Sequence, residues 1–407
     1  MSKFLHLQKN SIMQVSARII LSKDRDEAVR RFHPWVFSGA ILKVEGTPED
    51  GDIVEVHDIK GNYLATGHAC TGSIAVKIFH FGPEKPALNF WKEKLKQSLQ
   101  LRKELGFTSN PESNAYRLVF SEGDGLPGLV IDFYNGVAVI QAHSTGMYLL
   151  REELTEALKH IYGDDLKAVY DKSSEALSKS GIHSDGDGFL FGNAETVEIL
   201  ENTHRFNIDF VQGQKTGFFL DQRDNRALLG KYAKGKKVLN AFCYTGGFSV
   251  YALAAGASHV TSLDSSRKAM DSLESNLRLN GFDSTNHESI VADFKPYVSN
   301  MPDDFDIIVL DPPAFAKRHA DRHKALQGYR FINASAMKKI RPCGLLFTFS
   351  CSQAMDREMF VSMAMSAALE AGRNVRILHH MGHTADHPVS IFHPEGEYLK
   401  GLVLRVE

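Results

Sequence analysis

Five short apolar runs, KVLNAF (237–242), HVTSLD (259–264), SIVAD (289–293), FDIIVLD (305–311) and GLLFTFS (344–350), are separated by stretches long enough for a helix. Runs this continuous are buried on both faces. Their alternation with helical segments predicts a parallel, doubly wound sheet. The best-marked helix lies in SSRKAMDSLESNLRLNG (265–281), where Met270, Leu273 and Leu277 fall on one face. Ser265 or Ser266 can cap its start, and Asn280-Gly281 marks its end.

Three successive runs close on an acid, at Asp264, Asp293 and Asp311. The first run opens into NAFCYTGGFSV (240–250), a turn of small residues leading into a helix. Such a turn, here Cys243, Tyr244, Gly246 and Gly247, lets a ligand come close to the backbone. Asp264, about twenty residues on, is placed to take both hydroxyls of a ribose. Asp293 is placed to accept from an adenine amino group. Any one of these acids could merely cap a helix; all three together point to a ligand. An acidic edge suits a nucleoside with a zwitterionic amino-acid tail, S-adenosylmethionine, better than a pyrophosphate.

Upstream the pattern changes. SARIILS (16–22), DIVEVHD (52–58), YLATGHA (63–69) and IAVKIFHF (74–81) alternate with period two, and turn signals separate them. They predict a small β-barrel over residues 13–88. Within it, RRFHPWVFSGAI (30–41) mixes basic residues with aromatics, so Trp35 and Phe37 are either barrel core or a direct RNA contact. Residues 89–192 read as a central α+β domain. It has a helix over 89–107 with Trp91, Leu95 and Leu99 on one face, strands and turns over 116–144, and a second helix near 149–161. SDGDGFLFGN (184–193) reads as the boundary, and residues 193–407 hold the strand–helix domain.

A chain of 407 residues is too long for one ordinary core. Its net charge of −2 means that any nucleic-acid surface is a local patch. Cys70, Cys243, Cys343 and Cys351 form no CxxC pair, which argues against a zinc site or a disulfide framework and fits a reducing, cytoplasmic compartment. MSKFLHLQKNSIMQ has no apolar core of signal-peptide length, and no run of about 18 apolar residues suggests a membrane span. His379-His380 and HTADHP (383–388) lack HExxH spacing, so no metal is expected.

The fifth apolar run stops at Ser350-Cys351-Ser352. A cysteine at a strand's mouth, between two serines, is a candidate nucleophile rather than a core residue. FHPWVFSGAI, EGDGLPGLVID, KTGFFLDQRDNR (215–226), YTGGFSV, DPPAF (311–315), FSCS and ADHP occur in this order. On these motifs the chain resembles the bacterial large-subunit (23S) ribosomal RNA 5-methylcytosine methyltransferases with an N-terminal PUA domain. The resemblance spans about residue 16 to 407. It implies a PUA-like β-barrel, a central α+β domain and a class I, Rossmann-like methyltransferase domain. The sheet of that last domain has seven mostly parallel strands in the order 3-2-1-4-5-7-6, the last two over 374–381 and 398–406.

The resemblance further implies S-adenosylmethionine as cofactor and 23S ribosomal RNA as partner, as naked RNA or an assembly intermediate. No membrane or metal is involved, and a homodimer is compatible with it. Cys351 would add to carbon 6 of cytosine, with Asp311 raised in pKa by burial to hydrogen-bond or protonate nitrogen 3. Lys215, Thr216, Gly217, Phe218 and Arg223 would fold over the cofactor, with Pro312 beside it. Pro313 and Phe315 would meet the base. Two competing readings are methylation of an exocyclic amine, and a ribosome-assembly factor that holds the cofactor without turnover. The stretch 167–183 departs from the family in placing Lys172 near where an arginine is often seen.

Overall fold

The computed structural model describes residues 13–315 and 321–407. Residues 1–12, within the segment read above as lacking a signal-type core, lie outside the described residues. The C-terminal sheet runs, edge to edge, His287–Val291, His259–Asp264, Lys237–Ala241, Ile307–Leu310, Gly344–Ser350, Lys400–Val406, Val375–Met381. This is the order 3-2-1-4-5-7-6. Lys400–Val406 is antiparallel to both of its neighbours, while the first five strands are parallel. Ile307–Leu310 is buried throughout, as a strand covered on both faces requires. Ser266 caps the helix Arg267–Leu279, its hydroxyl accepting from the Ala269 amide at 3.2 Å, and Met270, Leu273 and Leu277 are buried. The third strand lies two residues earlier than its apolar run suggested. Asp293 therefore stands beyond the strand, at the first cap of the helix Phe294–Asn300.

The central sheet has five strands: Gly188–Gly192, Ala168–Asp171, Val137–Ala142, Leu129–Tyr134 and Ala115–Phe120. The segment read as a boundary thus carries an edge strand, paired antiparallel to Ala168–Asp171. Both faces of this sheet are covered, and the alternation of side chains divides them. Tyr116, Leu118, Ile131 and Ile140 pack under the helix Phe90–Glu104, onto Trp91 and Leu95. Ala115, Tyr134, Val139 and Tyr170 face the other way and join one continuous core with Val238, Phe248 and Phe347 of the C-terminal domain. A hairpin not foreseen from the sequence, Val197–Glu201 with His204–Ile208, fills that junction with Ile199 and Phe206. Its two turn residues, Asn202 and Thr203, both take positive φ, the mirror-image turn that suits strand twist.

The N-terminal sheet has six strands, ordered Trp35–Phe37, Ile74–Phe81, Tyr63–Ala69, Ile53–His57, Ala17–Leu21, Ile41–Glu45. Phe37 is 48 % exposed, so it is not barrel core. Trp35 is half-buried: its indole N–H donates to Glu122 of the central domain at 2.9 Å, and its ring meets His393 of the C-terminal domain at 4.4 Å. The Trp35 side chain is therefore a joint between three parts of the chain. Among the described residues no helix is long and apolar enough to cross a membrane, and no histidine, cysteine or acid cluster could hold a metal.

Buried charge locks the central and C-terminal domains together. Asp386, fully buried, accepts from the Arg117 amide at 2.9 Å, from His387 Nδ1 at 2.8 Å and from Arg223 Nη1 at 3.4 Å. Arg117 forks onto Asp132 through two bonds of 2.8 Å, and Arg223 donates to the Ala115 carbonyl at 2.6 Å. Arg102 donates to Asp124 and to the Asp386 carbonyl. Burial alone would raise the Asp386 carboxyl, yet His387 and Arg223 hold it well below the ordinary range. Removing one member leaves the others charged and unpaired in the interior. Asp386→Ala is expected to cost about 3–5 kcal/mol, read as a fall in the urea midpoint. A folded carboxyl that titrates below its unfolded value contributes fully at neutral pH, and the contribution is lost as pH falls below about 4. Asp386→Asn should therefore flatten the acid side of the stability–pH curve.

Candidate active site

Parallel strands bring their C-terminal ends to one edge, and the acids and Cys351 collect there. Leu310 is in register with Thr348, so the chain leaves adjacent strands, about 4.8 Å apart, toward Asp311 on one side and Cys351 on the other. Cys351 is partly exposed, while Ser350 and Ser352 on either side are buried. The residue thus stands at the strand's mouth, partly open to solvent. Pro312 is buried and Pro313 exposed; Phe315 is 37 % exposed, its ring 4.6 Å from Tyr329.

Electrostatics tie this pair to a wall of charge. Burial raises the Asp311 carboxyl to about 7, and the nearby Asp221 carboxylate adds to the effect. Burial likewise pushes the Cys351 thiol up; Lys215 opposes it, and Asp311 and Asp221 reinforce it. For Asp221 burial is outweighed by Lys215 and His387, which keep its carboxyl below the ordinary range. One Asp221 oxygen accepts from the Tyr398 hydroxyl; the other is buried without a partner among the described residues. Lys215 is exposed, and its ammonium lies 4.8 Å from the Phe219 ring and 5.7 Å from that of Tyr398. Asp221 and Tyr398 escaped the sequence reading. Asp221 sits inside KTGFFLDQRDNR, but nothing in the string distinguishes it from a helix-starting acid.

The loop after Lys237–Ala241 is bent by residues of positive φ at Phe242, Tyr244 and Gly246. Non-glycine residues rarely take this form, and such bends concentrate at functional sites. Gly246 has a packing reason too, since a Cβ there would come within 2.7 Å of Leu273. Asp264 holds the loop: it accepts from the Tyr244 amide at 3.0 Å and from the Ser266 amide at 2.9 Å. The Tyr244 hydroxyl reaches across to the segment before the sheet, accepting from the Gln214 amide at 2.9 Å and donating to the Gly217 carbonyl at 3.2 Å.

Four of the residues expected at the cofactor have side chains that contact other parts of the protein. The Cys243 side chain is buried against Met270, its sulfur 3.5 Å from the thioether, because the bend at Phe242 points it into the core. Thr216 donates to Asp132 of the central domain at 2.6 Å. Phe218 packs on Phe206 of the hairpin, and Arg223 spans to Ala115 and Asp386. These three side chains anchor the segment 215–223 to the domain junction. Of the charged residues in that segment, Lys215 and Asp221 are the ones coupled to Cys351.

The donor set fits S-adenosylmethionine. Each Asp264 oxygen has a lone pair left after its amide bond, which suits ribose hydroxyls. Asp293 is exposed at the same edge. The orphaned Asp221 oxygen is a buried acceptor that an α-ammonium would satisfy.

Comparison with known proteins agrees. Residues 183–387 match the family model of S-adenosylmethionine-dependent methyltransferases, and residues 19–81 match that of the PUA-like domain. A ribosomal RNA large subunit methyltransferase I of Aeromonas hydrophila is 41 % identical over 400 residues, covering 96 % of this chain and all of the relative. The protein of that name from Vibrio cholerae is 39 % identical over 396 residues, covering 95 % of this chain and 99 % of the relative. Among solved structures, a candidate S-adenosylmethionine-dependent methyltransferase from Streptococcus mutans superposes with a TM-score of 0.81 at 22 % identity, covering 97 % of this chain and all of that one, which shows the shared fold. From the acidic strand ends, the PUA-like sheet and relatives alike over nearly their whole length, the chain belongs to the S-adenosylmethionine-dependent ribosomal RNA large subunit methyltransferases.

Proposed function

We propose that the protein methylates carbon 5 of a cytosine in 23S ribosomal RNA, with Cys351 as covalent nucleophile. The observation that carries this is the pairing, on adjacent strand ends, of a partly exposed thiol with a carboxyl raised to about 7. Carbon 5 of cytosine is a weak nucleophile. When the Cys351 thiolate bonds to carbon 6, the ring's electron pair moves toward carbon 5. Asp311, protonated, donates to nitrogen 3 and takes up the charge that develops there. S-adenosylmethionine would supply an electrophilic methyl group; Asp264 and Asp293 would hold its nucleoside and Asp221 its ammonium. Loss of the carbon-5 proton then expels the Cys351 thiolate. Pro313 and Phe315, at the open side of the pair, bound the slot for the base.

The large ribosomal subunit enters from the relatives' names. A base attacked at carbon 6 has to be unstacked, so the target is single-stranded or flipped. Phe32 and Phe37, about half exposed on the PUA-like domain, offer faces for neighbouring bases. The cysteines are all free, as a cytoplasmic enzyme's would be.

Cys351→Ala should abolish methyl transfer and leave binding of RNA and of S-adenosylmethionine intact. RNA carrying 5-fluorocytosine should trap the wild-type chain, but not this variant, as a complex stable to denaturing electrophoresis. Undiminished methylation by Cys351→Ala would favour transfer to an exocyclic amine instead. Asp311→Asn should lower kcat/KM by about 10²–10⁴. The pH profile carries a sharper signature. Below about pH 7 Asp311 stays protonated and the rate rises with the Cys351 thiolate. Above it, each gain in thiolate is offset by a loss of protonated Asp311, so kcat/KM should level off. In Asp311→Asn the break near pH 7 should vanish and the rise continue.

A further inference from the structure

The Cys351 thiol sits where burial and two carboxylates oppose its ionisation. A covalent role needs a countercharge, and Lys215, exposed on a segment held over the pocket, is held in place by no hydrogen bond or ion pair among the described residues. A second lysine is fixed. Lys400 begins the strand Lys400–Val406 and is the cross-strand partner of Ser350, the residue before the thiol. Its side chain is turned inward at 2 % exposure. The ammonium donates to the Ser352 carbonyl at 2.7 Å and to the Tyr398 carbonyl at 2.7 Å, so it bridges the turn that carries Cys351.

Both partners are neutral, and among the described residues no carboxylate lies within ion-pair distance of it. A buried ammonium without an anion is costly, and interiors normally pair such a charge. Around Cys351 stand Asp311, Asp221, Tyr329, Tyr398, Lys215 and Lys400. Lys215 acts on both acids and on the thiol itself. Burial lowers Lys400 to about 8; Cys351 is the strongest of the anions pushing it back up, ahead of Glu397 and Asp356, while Arg357 opposes them.

We infer that Lys400 is the counter-cation of the Cys351 thiolate, a positioning residue that ionises the nucleophile through a buried ion pair. The thiol's proton passes to solvent, or to the Lys400 amine where burial has already stripped that amine of its own, and either route leaves a thiolate beside an ammonium. The inference rests on Cys351 as nucleophile, but the pairing can be read without any methyl transfer.

The full-length protein is alkylated with iodoacetamide across pH, and modification of Cys351 is followed by mass spectrometry of its peptide, which separates it from Cys70, Cys243 and Cys343. Lys400→Met should move the midpoint up by about 1–3 pH units, with at least a tenfold slower reaction at neutral pH, while Lys400→Arg restores most of it. A folded Lys400→Met whose profile superimposes on wild type, or a shift reproduced in full by Lys215→Met alone, would overturn the inference. Should Lys400→Met not fold, ¹⁵N-lysine NMR of Cys351→Ala decides. The Lys400 midpoint should fall relative to wild type, and an unchanged midpoint would refute the pair. A pair that is present in a protein whose Cys351→Ala variant still methylates would instead overturn only the nucleophile.

Discussion

The buried ionic seam around Asp386 is what the rest of the structure depends on. A carboxylate with no solvent exposure is tolerable only with its lone pairs filled, and here three elements far apart in sequence fill them: the amide of Arg117, the ring of His387 and the guanidinium of Arg223. Because these donors come from the central sheet and from both ends of the methyltransferase domain, the seam fixes the segment 215–223 against the central sheet. That segment delivers Lys215 and Asp221 to the pocket. Arg223 and Thr216 thus hold the frame of the site, through Asp386 and Asp132.

The pocket itself is a problem of competing charges. Three carboxylates, Asp264, Asp311 and Asp221, suit a cationic ligand, but the last two act against a thiolate. The fold answers by dividing labour between lysines. Lys215 lies over aromatic rings and offsets Asp221. Lys400 is locked under the turn that carries Cys351. The same crowding is useful at Asp311, since repulsion from Asp221 joins burial in keeping that carboxyl protonatable near neutral pH.

Much of this was legible in the string. Strand–helix alternation predicts the parallel sheet because burial on both faces forces continuous apolar runs. Of the three acids read as strand ends, Asp264 closes its strand and Asp311 directly follows its own, while Asp293 caps the next helix. The resemblance supplied the strand order, which no local pattern encodes. The hairpin Val197–Glu201/His204–Ile208 was not seen, because its exposed face is charged and its turn, Asn-Thr, is a weak signal. The strand Gly188–Gly192 was hidden by flanking glycines and aspartates that read as a boundary.

Sequence alone determined which residue types reach the mouth of each strand, since periodicity and strand ends are local properties. It could not determine where a side chain turns once the backbone bends. The positive φ at Phe242 buries Cys243; the seam draws Arg223 and Thr216 inward; and an antiparallel last strand carries Lys400, otherwise one polar residue in an apolar run, beneath Cys351. These are long-range placements, set by which unpaired charge and which apolar face must find a partner in the folded chain.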